Sequence, residues 1–297
     1  MGKLKEILRH PRIYAIYAIG RLVRGSILAD ELYLKMLYKA KMGKTIDFNN
    51  PKTCNEKMQW LKLHDRNPIY TTMVDKYLVK DFVSKKIGEE YIIPTLGVWE
   101  CFEDIDFDNL PERFVLKCTH DSGGLVVVKD KSFLDMKEAR KKIKHCMKRN
   151  YFTNTREWPY KNVRPRIIAE KFIGEVDVAP VDYKFYCFDG EIDSVMLCLN
   201  RELGKPKFVF MDMNWNRIFY QKDEPDIDVE LVKPKNFDVM VDVVRKLCKG
   251  LKEIRVDLYN INGTIYFGEL TFFNQSGFDV DITYETDLMW GEKIKLF

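Results

Sequence analysis

Over residues 1–45 the alternation of apolar and polar positions reads as helix, with little strand character. Asn49, Asn50 and Pro51 signal a turn. Thr53 stands three residues before Glu56, the spacing of a capping box, so a helix is expected to open there and run to about 63. Asp65 to Pro68 breaks it, and a second helix is expected over 70–86, closed by Gly88 and Pro94. From 113 onward the pattern shifts to short β-rich runs. Strands are expected over 113–117 and 125–129, joined as a hairpin around a flexible loop from His120 to Gly124. A basic helix over 135–150 and a mobile loop over 151–165 follow. Further strands are expected at 166–173, at 183–188 and 192–199 around Asp189 and Gly190, and at 208–213 and 217–220. After a helix at 237–249, strands at 255–259 and 264–270 flank Asn262 and Gly263, the strongest short hairpin signal in the chain. Consecutive hairpins with interspersed helices predict an α+β fold of largely antiparallel sheets. A doubly wound sheet is disfavoured, because neither GxGxxG nor GxxxxGK[ST] occurs.

A chain of 297 residues is long enough for two lobes. The net charge of +4 gives no case for a nucleic-acid partner, but the charge is uneven. Residues 1–45 carry ten Lys and Arg against Glu6, Asp30 and Glu31, interleaved with Leu4, Ile7, Leu8, Ile13, Ile16 and Tyr17. Such a segment suits peripheral contact with an anionic membrane surface, whereas the apolar run 13–19 is too short to span one, which takes about 20 residues. The seven cysteines are odd in number and contain no CxxC pair. They read as free thiols of a reducing cytoplasm, with a zinc site disfavoured.

Three stretches carry candidate chemistry. Lys117 ends a strand and precedes a Gly-rich loop, Asp121, Ser122, Gly123 and Gly124. A lysine beside exposed backbone N–H groups suits a polyphosphate. Asp257 and Glu269 lie on the two arms of the Asn262–Gly263 hairpin, where two facing carboxylates would repel unless a cation such as Mg²⁺ joined them. Arg255, two residues before Asp257, projects to the same face. Residues 166–177 read as a strand leading into a polar stretch. Three DxD patterns (Asp104 and Asp106, Asp226 and Asp228, Asp279 and Asp281) keep a nucleotide-sugar glycosyltransferase as the rival reading.

In their order and spacing these pieces resemble the ATP-grasp superfamily, in particular the TupA-like ATP-grasp group of bacterial surface-polysaccharide clusters. The resemblance rests on 50–60, Asp75, Lys76 and Lys80, Ile93 and Pro94, 114–124, Asp182 and Lys184, and 268–272. It implies two lobes gripping a nucleotide behind a helical N-terminal segment. The expected division is a helical region at 1–70, a nucleotide-lid unit at 71–165 and a C-terminal lobe with hinge and metal site at 166–297. It further implies that Lys76 and Lys117 contact phosphates, that Asp121 to Gly124 closes over them, and that Glu170, Lys171 and Ile173 surround adenine. Glu175 or Asp177 would take the ribose, Lys184 and Arg255 would serve the transferred group, and Asp257 and Glu269 would bind Mg²⁺. The position two residues after Glu269 is Thr271 where many ATP-grasp enzymes place Asn, leaving Asn274 as the candidate third ligand. The implied activity is ATP-dependent joining of a carboxylate to an amine through an acyl-phosphate. Its partners would be a sugar or amino-acid carboxylate and an amine acceptor, including lipid- or nucleotide-linked glycans, at the inner face of the membrane. A sugar kinase on the same fold is the second alternative.

Overall fold

A computed structural model describes residues 7–22, 26–175, 179–201, 204–227 and 230–296. The N-terminal region forms α1 (Pro11–Leu22), α2 (Ile27–Met42) and α3 (Cys54–His64). The capping box expected at Thr53 is present, with Thr53 and Glu56 satisfying each other's backbone N–H groups. The single helix expected over 70–86 is instead two, α4 (Ile69–Val74) and α5 (Leu78–Ile87). Asp75 causes the break. Its Oδ1 accepts from the N–H groups of Tyr77 and Leu78 and so starts a new helix, while Oδ2 accepts from Arg166 at 2.6 Å. The interruption turns Lys76 toward the neighbouring sheet, where its N–H donates to the Thr119 carbonyl at 3.0 Å.

That sheet contains β1 (Thr95–Trp99), β2 (Phe114–Cys118), β3 (Leu125–Val128) and β4 (Ile167–Lys171), in the order β1-β4-β2-β3, all antiparallel. Its inner face packs on α6 (Met136–Met147) through Ala139, Ile143 and Cys146, forming a core of its own. The domain boundary expected at 165/166 would cut this unit, because β4 lies between β1 and β2. The first lobe therefore runs from β1 to β4, and its two ends are adjacent. Thr95 pairs with Glu170, and the Lys171 N–H donates to the Pro94 carbonyl at 2.9 Å.

Residues 151–165, expected as a mobile loop, are built into the core as α7 (Tyr151–Thr155) and a 3-10 turn at Trp158–Tyr160. Arg156 is 1% exposed, pairs with Asp30 at 2.7 Å and donates to the Gly20 carbonyl. Buried Lys62 donates to the Thr155 carbonyl, and Glu157 accepts from Ser276. Each buried charge is matched by a partner, as a dry interior requires, so the segment staples the N-terminal helices to the second lobe.

The second sheet has β5 (Asp182–Phe188), β6 (Glu191–Leu199), β7 (Lys207–Met211), β8 (Arg217–Ile218), β9 (Glu253–Ile261) and β10 (Thr264–Thr271), in the order β10-β9-β5-β6-β7-β8. Both hairpin signals hold: Asp189 and Gly190, and Asn262 and Gly263, have positive φ at both turn positions. One face packs against α8 (Phe237–Cys248), whose Phe237, Met240, Val244 and Leu247 recur at helical spacing and are fully buried. Burial of each such side chain contributes about 1.5–3 kcal/mol. α9 (Tyr284–Lys293) places Trp290 against Tyr186 and Phe210. Tyr70, Met73, Val79 and Val83 join this same core, so α4 and α5 belong to the second lobe, not to the lid unit expected at 71–165. Six of the seven cysteines are buried and Cys101 is exposed.

Candidate active site

The site begins with register. From Thr264 to Phe267, β10 pairs regularly with β9, ending at Phe267 opposite Leu258. The next pair is Glu269 opposite Asp257, so Gly268 is an extra residue, a β-bulge. Without it Gly268 would stand opposite Asp257, and Glu269 would pair with the core position Val256. The bulge therefore puts the two carboxylates on one face. Glycine suits the place, because a Cβ there would sit 3.0 Å from the Asp257 carbonyl oxygen.

The same face receives Lys184, which pairs with Asp257 across β5 and β9, and Arg255 two residues away. Arg255 forks onto Asp257 at 2.7 and 2.8 Å, reaches Glu269 at 3.2 Å and Thr271 at 3.1 Å, and donates to Asn274 Oδ1 at 2.6 Å. Lys184 pairs with Asp257 and, at 2.7 Å, with Asp182. Burial alone would raise the Asp257 carboxyl, but Arg255 and Lys184 outweigh it and hold it down at about 2. Burial likewise works against the Lys184 charge, and Asp257 overcomes it, leaving Lys184 raised.

The facing wall comes from the break before α5 and from the first lobe. Lys76 lies 3.9 Å from Glu269 and donates to the Asp121 carbonyl at 3.1 Å. Lys117 and Lys80 each pair with Glu170 at 2.5 Å. Burial pushes Glu170 up, yet these two lysines hold it below the usual carboxylate range. In the Gly-rich loop only Ser122 and Gly123 are exposed. Gly124 is wedged so tightly that a Cβ would meet Cys118 Sγ at 2.6 Å, and Asp121 is 2% exposed. Cys118 points away from Lys117 into the first core, and His120 bonds the Cys146 carbonyl, shaping the loop from beneath.

Between the walls lies a cleft of about 170 Å³, touched by Lys76, Lys117, Asp121, Ser122, Gly124, Lys184, Asp257 and Glu269. Asp182, Arg201, Tyr259 and Gly268 also line it. Eight of the sixteen expected residues thus line one cleft. Glu170 stands beside the cleft, held by lysines. Lys171 ends β4, Ile173 and Glu175 lie beyond it, none of the three lines the cleft, and Asp177 falls outside the described residues. Asn274 lines the adjoining cavity, and its Oδ1, the atom a metal ion would need, is engaged by Arg255.

Asp182 and Lys80 carry the resemblance in the sequence but receive no role from it, and Arg201 is not singled out there. Strand alternation from Lys184 would have found Asp182, and the one-turn spacing from Lys76 would have found Lys80. Arg201, bound to Asp182 at 2.5 Å, carries no local signal.

The cleft's own charges test whether a nucleotide with Mg²⁺ fits. Four cations line it (Lys76, Lys117, Lys184, Arg201) against four carboxylates (Asp121, Asp182, Asp257, Glu269), so it is formally neutral. A bare triphosphate would find no surplus positive charge there; one accompanied by a divalent cation would. Among the described residues no three His, Cys, Asp or Glu converge as a metal cluster. Two carboxylates are nonetheless what Mg²⁺ takes from a protein when phosphates supply the other ligands. The donor set fits.

Two antiparallel sheets with a formally neutral cleft between them, lined by lysines and paired carboxylates, define the class: an α+β protein with a polar cleft between two lobes. The chain belongs to the TupA-like ATPgrasp family, whose sequence profile matches residues 56–295. The fold is accordingly an ATP-grasp fold. A comparison with curated proteins gave no match. Among solved structures, the chain is similar to the D-alanine–D-alanine ligase of Bacillus anthracis complexed with ATP (16% identity, 79% of this chain and 66% of that one, TM-score 0.40). It is also similar to the L-amino acid ligase of Bacillus licheniformis (14%, 75% and 49%, 0.46). A third is the ADP complex of N5-carboxyaminoimidazole ribonucleotide synthetase (14%, 83% and 56%, 0.47). The chain spans about two thirds of the first of these and half of the second.

Proposed function

We propose that this protein uses ATP and Mg²⁺ to join a carboxylate to an amine through an acyl-phosphate, acting on a cell-surface saccharide or its precursor. The observation that carries the reading is the register of β5, β9 and β10, which sets Lys184, Arg255, Asp257 and Glu269 on one wall opposite Lys76 and Lys117. Lys76 and Lys117 hold phosphate oxygens from one side, and Lys184 from the other. Asp257 and Glu269 would hold Mg²⁺, whose chemistry is neutralisation of charge on the phosphates. Arg255 orients the substrate carboxylate and steadies charge that develops during transfer. Catalysis then rests on positioning and charge complementarity, with no nucleophilic side chain.

The helical N-terminus supports a place at the cytoplasmic face of the membrane. Leu8, Leu22, Leu28 and Leu32 are exposed beside Arg9, Arg12 and Arg21. Among the described residues no helix is long and apolar enough to cross a membrane. Of the three DxD patterns behind the glycosyltransferase reading, Asp279 and Asp281 alone line a cavity next to the cleft. Asp104 accepts from Cys101, Asp106 binds Asn109, and Asp228 lies outside the described residues.

The test is a trapping assay. Protein, ATP, Mg²⁺, hydroxylamine and either glucuronate or a mixture of L-amino acids are incubated, and hydroxamate, ADP and phosphate are measured. Hydroxamate with stoichiometric phosphate supports the ligase. A phosphorylated sugar without free phosphate replaces it with a kinase. If AMP-PNP with Mg²⁺ does not bind, or binds equally well to Lys117→Ala, the nucleotide site is wrong.

A further inference from the structure

A second cavity, of about 270 Å³, opens beside the cleft and shares Lys184 and Arg201 with it as a common wall. Its volume suits one amino acid or one monosaccharide ring, below the range of drug-sized pockets. Tyr186, Phe208 and Phe210 give it an aromatic side. Its other side carries Asp279 and Asp281, the one DxD pair that the cleft does not use and that lies beside it.

The two acids differ from every carboxylate of the cleft wall formed by the second sheet. Asp182, Asp257 and Glu269 are each paired with Lys or Arg. Among the described residues no Lys or Arg forms an ion pair with Asp279 or Asp281, and neighbouring Lys222 donates its Nζ to the Val280 carbonyl instead. Asp279 is nevertheless fixed. Its backbone N–H and carbonyl are both clamped by the Asn55 side chain, at 2.8 and 3.1 Å, and its carboxylate accepts from the Asp281 N–H and from Asn274 Nδ2. Asn274 in turn accepts from Arg255. An oriented carboxylate without a cationic partner thus stands one side chain away from the Arg255 guanidinium.

We propose that this cavity binds the amine co-substrate as its ammonium form, a small primary amine with an apolar face such as an amino acid or an amino sugar. Asp279 and Asp281 hold the nitrogen beside Arg255, and the Tyr186, Phe208 and Phe210 rings carry the apolar face. Carboxylates supply the charge complement and aromatic faces add cation–π attraction. This assignment rests on the ligase reading, since only an amine-consuming reaction needs such a site.

The experiment measures binding by saturation-transfer NMR, with and without AMP-PNP and Mg²⁺. It uses two probe pairs that differ only in ammonium against hydroxyl: glucosamine and glucose, and L-alanine and L-lactate. At least one amine is expected to bind 10-fold or more tightly than its hydroxyl counterpart. That preference should vanish in Asp279→Asn and weaken in Asp281→Asn, with AMP-PNP affinity unchanged in both. Equal binding of both members of each pair, no binding of either amine, or a preference that survives in Asp279→Asn overturns the proposal. Should Asp279→Asn unfold, the exposed Asp281→Asn decides alone, by the same reading. Failure of the wild type to bind AMP-PNP sinks the ligase reading separately, because the amine preference is also read without nucleotide.

Discussion

Asp257 and Glu269 face each other across two strands, yet their removal should be felt differently. Glu269 has a half-open side chain, 35% exposed, and its loss frees no deeply buried cation. Glu269→Gln is expected to lower Mg·ATP-dependent turnover 100-fold or more while moving the thermal midpoint by no more than a degree or two. Turnover near wild type would remove it from the metal site. Asp257→Asn strips a shared partner from Arg255 and Lys184, leaving them Glu269 and Asp182, and should cost about 3 kcal/mol in urea unfolding as well as activity. The Asp257 carboxyl is depressed in the fold, so its contribution is intact above about pH 4 and is lost as pH falls through about 2. Glu253 has the opposite sign. Burial lifts it to about 7 even though the Phe273 N–H donates to it. Its contribution is full below about pH 4 and is lost progressively as pH rises from there through 7. Glu253→Gln should therefore stabilise the protein by up to about 3 kcal/mol at pH 8 and much less at pH 5. Equal gains in thermal unfolding at the two pH values would refute this.

Local chemistry made some elements legible and left others hidden. The capping box at Thr53 and the turn at Asn262 and Gly263 are decided by neighbours in sequence, and both appear where expected. Arg255 and Asp257 share a face because strand residues alternate, which needs no tertiary information. The break at Asp75 combines both kinds of information, since one oxygen caps the next turn locally while the other is held by Arg166 from 91 residues away. The bulge at Gly268 is likewise a property of two strands together. A sequence can show that Asp257 and Glu269 are on facing arms, but not which face Glu269 takes. Gly268→Ala should expose that dependence. The added methyl must push back the Asp257 carbonyl, costing about 1–2 kcal/mol and weakening AMP-PNP·Mg²⁺ binding. Unchanged binding in calorimetry would show that the bulge does not set the site. The N-terminal helices make a separable prediction. Replacing Leu22 and Leu28 by serine should abolish co-sedimentation with anionic vesicles and leave AMP-PNP binding intact, and persistence of co-sedimentation would rule out that surface.

At the scale of the molecule, the two lobes have separate cores and meet over a cleft whose charges cancel. Excising 95–171 and bridging its adjacent ends with a short glycine-serine linker also removes Arg156 and Glu157, the buried partners of Asp30 and Ser276, so the remainder should lose both AMP-PNP binding and cooperative unfolding by circular dichroism. Retained cooperative unfolding would show that the 151–165 staple is dispensable. The adjacency of those ends also bears on synthesis. The first lobe is a parenthesis in the sequence of the second: everything its core needs lies between β1 and β4. A ribosome that has released residue 171 has released a unit able to close on itself. The helices made before it must wait, because Asn55 of α3 finds Asp279 and Asp287 only after more than 220 further residues have emerged. A nascent chain therefore carries a finished small lobe on an unfinished large one while residues 172–293 are made, with the apolar faces of α3, α4 and α5 uncovered until β9, β10 and α9 arrive. That is the interval in which a chaperone would find something to hold.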